Sequence, residues 1–157
     1  MAIRNTAKAI VVHEGKILLN RCVGSEGETY FALPGGGQHL YETMEQAVVR
    51  ECLEETGYHV RVLGFAALYE KIYTHPGYRT LHAEHAHRLY HIFRCGLADS
   101  ARQEPTELDA RQLASEWVPL DAVSAVYPKA IGDNLRDLAL GQAVLYLGSG
   151  FNSMDPG

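Results

Sequence analysis

The sequence predicts an α+β fold built as one domain over residues 1–157. Three observations lead there. Two short apolar stretches near the start flank Glu14-Gly15, a turn signal, and so read as a hairpin rather than a crossover. Further extended stretches follow without strict alternation with helices, which disfavours a doubly wound parallel sheet. Two segments carry helical signals, one with a cap at each end and one with an apolar face. A chain of 157 residues, 46% hydrophobic and 21% charged, suits a single globular core.

The elements follow in order. Residues 7–13 and 16–22 are the hairpin strands, and the GSEGE segment, 24–28, is a loop. Residues 29–33 form a short strand that stops at Pro34 and the triple glycine Gly35, Gly36 and Gly37, where the freedom of glycine lets the backbone approach a ligand or simply flex. Residues 43–56 are helical: Thr43 and Gln46 make a capping box and Gly57 terminates. Residues 58–73 read as extended, 74–86 as a loop, 88–97 as a strand, 100–110 as a polar loop and 116–120 as a short strand. Asp121 to Ser124 starts a helical turn. Pro128 suits a first helical position and Gly141 an end, with Ile131, Leu135 and Leu138 on one face. The last seven residues, from Phe151, are expected to fray. On the strand over 88–97, one face carries Leu89, His91, Phe93 and Cys95, the other Tyr90, Ile92 and Arg94; neither is clearly the core side.

Composition excludes several function classes. A formal net charge of −5 lacks the broad cationic footprint of a protein that binds a nucleic acid polymer. Cys22, Cys52 and Cys95 are far apart with no CxxC pair, so reduced thiols and a cytoplasmic location are expected rather than a disulfide framework. No stretch approaches the ~20 apolar residues of a membrane span, so no membrane partner is expected.

The chemistry lies between Leu33 and Tyr58. On a helix, Glu51, Glu54 and Glu55 stand at i, i+3 and i+4 and share one face, while Val48, Val49, Cys52 and Leu53 fall on another that can dock on a sheet. Three like charges so close repel one another unless hard divalent cations lie between them, and all-oxygen ligands select magnesium, manganese or calcium over zinc. A solvated acidic face is the plain alternative for the triplet taken alone. Arg50, four residues before Glu54 and eight after Glu42, reads as scaffolding that orients the carboxylates; a solvated surface pair is again the alternative.

The combined spacing is more restrictive than any of its parts. Gly36, five residues, Glu42, seven residues, Arg50-Glu51, Glu54-Glu55 and Gly57 resemble the Nudix box, Gx5Ex7REUxEExGU, with every fixed letter present and Cys52 and Tyr58 at the bulky aliphatic positions U. His39 stands where the family often has an acid, and Tyr41 where it often has glycine. Phe31 and the segment EWVPLDAV, 116–123, also look like the family. The resemblance implies a Nudix-type α/β/α sandwich around a mixed β-sheet and water attack on a nucleoside diphosphate linked to another moiety, X. By position, Glu51, Glu54 and Glu55 would bind Mg2+ or Mn2+, with the Gly35 carbonyl as a backbone ligand, and Glu51 and Glu54 would be catalytic. Glu42 and Arg50 would support the site. Members often use a further acid outside the box; Glu107 is the candidate here, with Asp109, Glu84 and Glu104 as rivals.

The resemblance makes the partner a small nucleotide-type molecule and, since dimers are common among members, leaves a homodimer open. ADP-ribose, nucleotide sugars, nucleoside triphosphates and dinucleoside polyphosphates all remain candidate substrates. Two other functions compete. One is a non-catalytic Nudix-like module that binds a nucleotide metabolite, although such modules often lose a box carboxylate and this chain keeps all three. The other is a histidine-rich zinc protein built on His82, His85 and His87, whose spacing matches no zinc motif and reads more plainly as a polar loop. Trp117 reads as packing, and most of the nine tyrosines as half-buried strand residues.

Overall fold

In the computed structural model, which describes residues 2–153, β1 (Arg4–His13) and β2 (Lys16–Val23) form the expected hairpin. Glu14 and Gly15 both have positive φ, 51° and 75°, which matches the twist of a two-residue hairpin loop. Then come β3 (Thr29–Ala32), β4 (Gly35–Gly37), α1 (Met44–Thr56), β5 (Tyr58–Tyr73), α2 (Pro76–Leu81), β6 (His87–Arg102), β7 (Gln112–Pro119), α3 (Lys129–Leu140) and β8 (Leu145–Asn152). They build an eight-stranded mixed sheet in the order β3-β2-β1-β6-β5-β8, with β4 also on β1 and β7 also on β2. The β1–β6 and β5–β8 pairs are parallel. Among the described residues no helix is long and apolar enough to cross a membrane.

Both faces of this sheet are core. Ala7, Ala9 and Val11 face α1 with Leu18, Phe93 and Cys95, against Ala47, Val48 and Cys52. Ile10, Ile17, Leu19, Tyr90 and Ile92 face the opposite way, against Ile131, Leu135 and Leu138 of α3. The two faces of β6 looked equally apolar in sequence because a helix covers each. Each fully buried aliphatic side chain of α3 contributes roughly 1.5–3 kcal/mol.

Several expectations need correction. The triple glycine is a strand rather than a flexible turn: it pairs with β1 through Thr6–Gly37, Ala7–Gly36 and Lys8–Gly35, along a stretch of β1 that the hairpin leaves open. Residues 100–102, expected in a loop, continue β6, since Arg102 pairs with Tyr58. Likewise β7 starts at Gln112, because β2 offers ladder partners as far as Cys22. The 74–86 segment contains α2, with His75 as its N-cap and Pro76 just inside, and a 3-10 turn at Ala83–His85. Pro128 caps α3 from outside rather than opening it. Phe151 and Asn152 belong to β8, held by the ladder with β5; the remainder of the expected frayed end, 154–157, lies outside the described residues.

Candidate active site

Helix α1 begins as its sequence dictates. The Thr43 hydroxyl accepts from Gln46 N at 3.0 Å, and the Gln46 side chain accepts from Thr43 N at 2.9 Å. Gly57 closes the helix in the left-handed conformation, φ 79°, donating to the Leu53 carbonyl. Val48 and Cys52 are buried against the sheet. That docking fixes the rotation of the helix and presents its acidic face toward β4.

Arg50 is the hub of that face. Its Nε and Nη2 donate to the two Glu42 oxygens at 2.7 and 2.9 Å, a fork-to-fork pair. Nη1 donates to Glu51 at 2.9 Å and to Glu54 at 3.2 Å, and Nη2 also reaches the Gly37 carbonyl at 2.9 Å. One guanidinium thus ties the loop before α1, two carboxylates of α1 and the end of β4 together. The hydrogen bond from Arg50 holds Glu42 well below the usual carboxylate range, at about 2. The same bond pushes Arg50 higher still.

Glu55 is held differently. It is only 4% exposed, and its Oε1 accepts from Gly35 N at 3.0 Å and from Asn20 Nδ2 at 2.9 Å. Burial raises its pKa to about 7, opposed by the nearby Lys8 ammonium and the Gly35 N–H. The Lys8 ammonium donates to the Gly35 carbonyl at 3.0 Å and the Leu33 carbonyl at 3.3 Å. A cation therefore already sits at the Gly35 carbonyl beside the buried carboxylate.

Two glycines are required here. Gly35 adopts φ 142°, and a Cβ on it would lie 2.0 Å from the Ala7 carbonyl oxygen. A Cβ on Gly36 would fall 2.6 Å from the Glu51 carboxyl carbon, so its absence is what admits that carboxylate.

The sequence-predicted residues Gly35, Glu42, Arg50, Glu51, Glu54 and Glu55 are thus brought together, but the three glutamates do not converge on one point. Arg50 draws Glu51 and Glu54, while Gly35 N and Asn20 hold Glu55. Among the described residues no group of three His, Cys, Asp or Glu side chains is arranged to hold a metal ion as it stands. Glu107 is exposed; its backbone N–H donates to the Glu54 carbonyl at 3.0 Å, which moors the 103–111 loop to the end of α1. The loop acid whose charge reaches Glu55 is Asp109. Glu84 instead lines a cleft of about 620 Å³ with Arg4, Asn5, Gln38, His39 and Glu42.

Sequence reasoning missed the polar residues behind Glu55. Gln112 donates to the Glu55 carbonyl at 3.0 Å and to Asn20 Oδ1 at 3.2 Å, and the Ser115 hydroxyl donates to Asn20 Oδ1 at 2.9 Å. The available signal was Asn20 interrupting the apolar run of β2. The histidines serve separate contacts: His75 caps α2, His82 packs on Tyr78 at 4.8 Å, His87 pairs with Glu70 at 2.6 Å and His91 bonds Asn5 at 3.2 Å. Trp117 donates to the Tyr58 hydroxyl and packs on its ring at 5.4 Å.

Comparison with known proteins gives concordant results. A family model described as NUDIX domain matches residues 3–138. An ADP-ribose pyrophosphatase of Methanocaldococcus jannaschii is 42% identical over 60 residues, 38% of this chain; the match spans only 36% of that relative. A NUDIX hydrolase from Nitrosomonas europaea superposes with a TM-score of 0.71 at 22% identity, covering 97% of this chain and 81% of its own. A MutT NUDIX hydrolase from Burkholderia pseudomallei superposes at 0.59 with 27% identity, covering 79% and 88%.

Proposed function

Because the chain belongs to the Nudix family, we propose that it is a hydrolase that cleaves a phosphoanhydride bond in a nucleoside diphosphate linked to another moiety. The observation that carries this reading is the seating of the box residues: Arg50 gathers Glu42, Glu51, Glu54 and the Gly37 carbonyl, while Glu55 is anchored to Gly35 N beside the Gly35 carbonyl. The donor set suits a hard divalent ion, all of it oxygen, and the ammonium of Lys8 at the Gly35 carbonyl marks a place where positive charge is accommodated.

In this reading Glu51, Glu54, Glu55 and the Gly35 carbonyl hold Mg2+ or Mn2+, which when bound neutralises phosphate charge and acidifies water. Glu51, whose carboxylate occupies the space left by the missing Gly36 side chain, accepts the proton of the attacking water, and Glu54 shares the charge. Arg50 and Glu42 position these groups rather than react. Asn20, Gln112 and Ser115 keep Glu55 in place from behind. The further acid is Glu107, whose backbone is moored to Glu54, with Asp109, whose charge reaches Glu55, as its rival.

The ADP-ribose pyrophosphatase likeness puts ADP-ribose first on a substrate panel assayed with Mg2+ or Mn2+. Glu54→Gln and Glu55→Gln are expected to fold and to lose at least ~10²-fold in turnover. Unchanged turnover in both would refute the site assignment. A wild-type chain that binds one nucleotide tightly and hydrolyses none would instead be a metabolite-binding module.

A further inference from the structure

The register of the sheet sets three cations abreast. Arg4 on β1 pairs with Arg88 on β6, and Arg88 pairs with Lys71 on β5. Paired residues point to the same face, so like charges stand directly opposite one another, an arrangement that costs stability in the absence of a counter-charge. None of the ion pairs among the described residues involves any of the three. The acid next along β5, Glu70, is bound to His87 and Ser149.

Lys71 is the sharpest case. It is only 4% exposed, and its single hydrogen bond among the described residues is to the Tyr127 hydroxyl. Its ammonium lies 4.6 Å from the Tyr73 ring centre and 4.2 Å from that of Tyr127. Arg88 donates to the His85 carbonyl and the Tyr78 hydroxyl, and none of these acceptors is an anion. On the next row of the same face, Thr6 is 4% exposed and its hydroxyl has no partner among the described residues. Tyr127, one of the two rings that cover Lys71, is itself 41% exposed.

Arg4 also lines the cleft that Glu42 enters, with its guanidinium over Gly37, so the row borders the site, and a molecule held at the glutamates reaches it with another of its groups. We propose that Arg4, Arg88 and Lys71 form a subsite for an anionic group, phosphate or carboxylate, carried by the X half of the substrate, a proposal that rests on the hydrolase reading.

The test is calorimetric titration in metal-stripped, chelator-free buffer with tripolyphosphate and, separately, citrate. Lys71→Met and Arg88→Met are expected to weaken binding at least about tenfold, while Lys129→Met, an exposed cation on α3, leaves it unchanged. Loss with tripolyphosphate indicates a phosphate ligand, and loss with citrate alone a carboxylate. Wild-type affinity in both variants, an equal loss in Lys129→Met, or no binding to wild type at millimolar anion would each overturn the proposal. Glu54→Gln keeps the metal-free titration while losing hydrolysis, so failure of the catalytic reading registers separately.

Discussion

Replacing Arg50 tests the hub of the site most directly. The guanidinium makes five hydrogen bonds, four to carboxylates and one to the Gly37 carbonyl, with its side chain 22% exposed. Exposed ion pairs contribute ~0–1 kcal/mol, and breaking a fully buried one costs ~3–5 kcal/mol. Arg50 lies between these limits, and its loss leaves Glu42 with only the His39 N–H and takes a donor from the Gly37 carbonyl. Arg50→Met is therefore expected to cost about 2–4 kcal/mol. At ~2–4 °C per kcal/mol for a chain of this size, Tm falls by about 5–15 °C. Arg50→Lys keeps the charge but not the planar fork and should cost about 1–2 kcal/mol. Urea unfolding with a fixed m-value measures both. Turnover should fall at least ~10-fold in each, because Glu51 and Glu54 lose their common tether. An Arg50→Lys variant within ~0.5 kcal/mol of wild type and fully active would refute the hub.

Three further outcomes are expected. Gly35→Ala, which places a methyl group 2.0 Å from the Ala7 carbonyl in a φ 142° backbone, should cost at least ~3 kcal/mol or abolish folding, as read by circular dichroism. Tyr41→Gly should stabilise by ~0.5–1 kcal/mol in urea unfolding, since Tyr41 is 97% exposed and held at φ 67°. For Lys71, burial lowers the pKa to about 7 in the fold, from 10.5 for an ordinary lysine. The unfolded chain then binds more protons across that window, so stability rises from about pH 7 towards 10.5. Lys71→Met should be more stable than wild type at pH 7 and should flatten that rise; an unchanged pH slope would contradict the burial of the amine.

The box was legible because it is local. Helix rotation, the capping box and the i, i+3, i+4 spacing all follow from residues within one turn or two of each other, and Glu42, Arg50, Glu51 and Glu54 meet as the periodicity required. The non-local half was not legible. Lys8 and Asn20 reach Gly35 and Glu55 across 27 and 35 residues, through strand pairing that no short window encodes. Strand β4 was hidden because a glycine triplet has no β propensity; the open edge of β1 makes it a strand. Strand β8 was hidden in the same way, since LYLGSGFN carries two glycines and is ordered by its parallel ladder with β5.

Strand β1 works as a beam shared by two rooms. Ala7, Ala9 and Val11 press on the layer that carries α1, while Ile10 looks into the other, against α3. With a side-chain period of two, a slip of one residue would trade every occupant of one room for those of the other. Neither layer can therefore drift on its own: a substitution beneath α3 that nudges β1 also moves the wall on which the acidic helix rests.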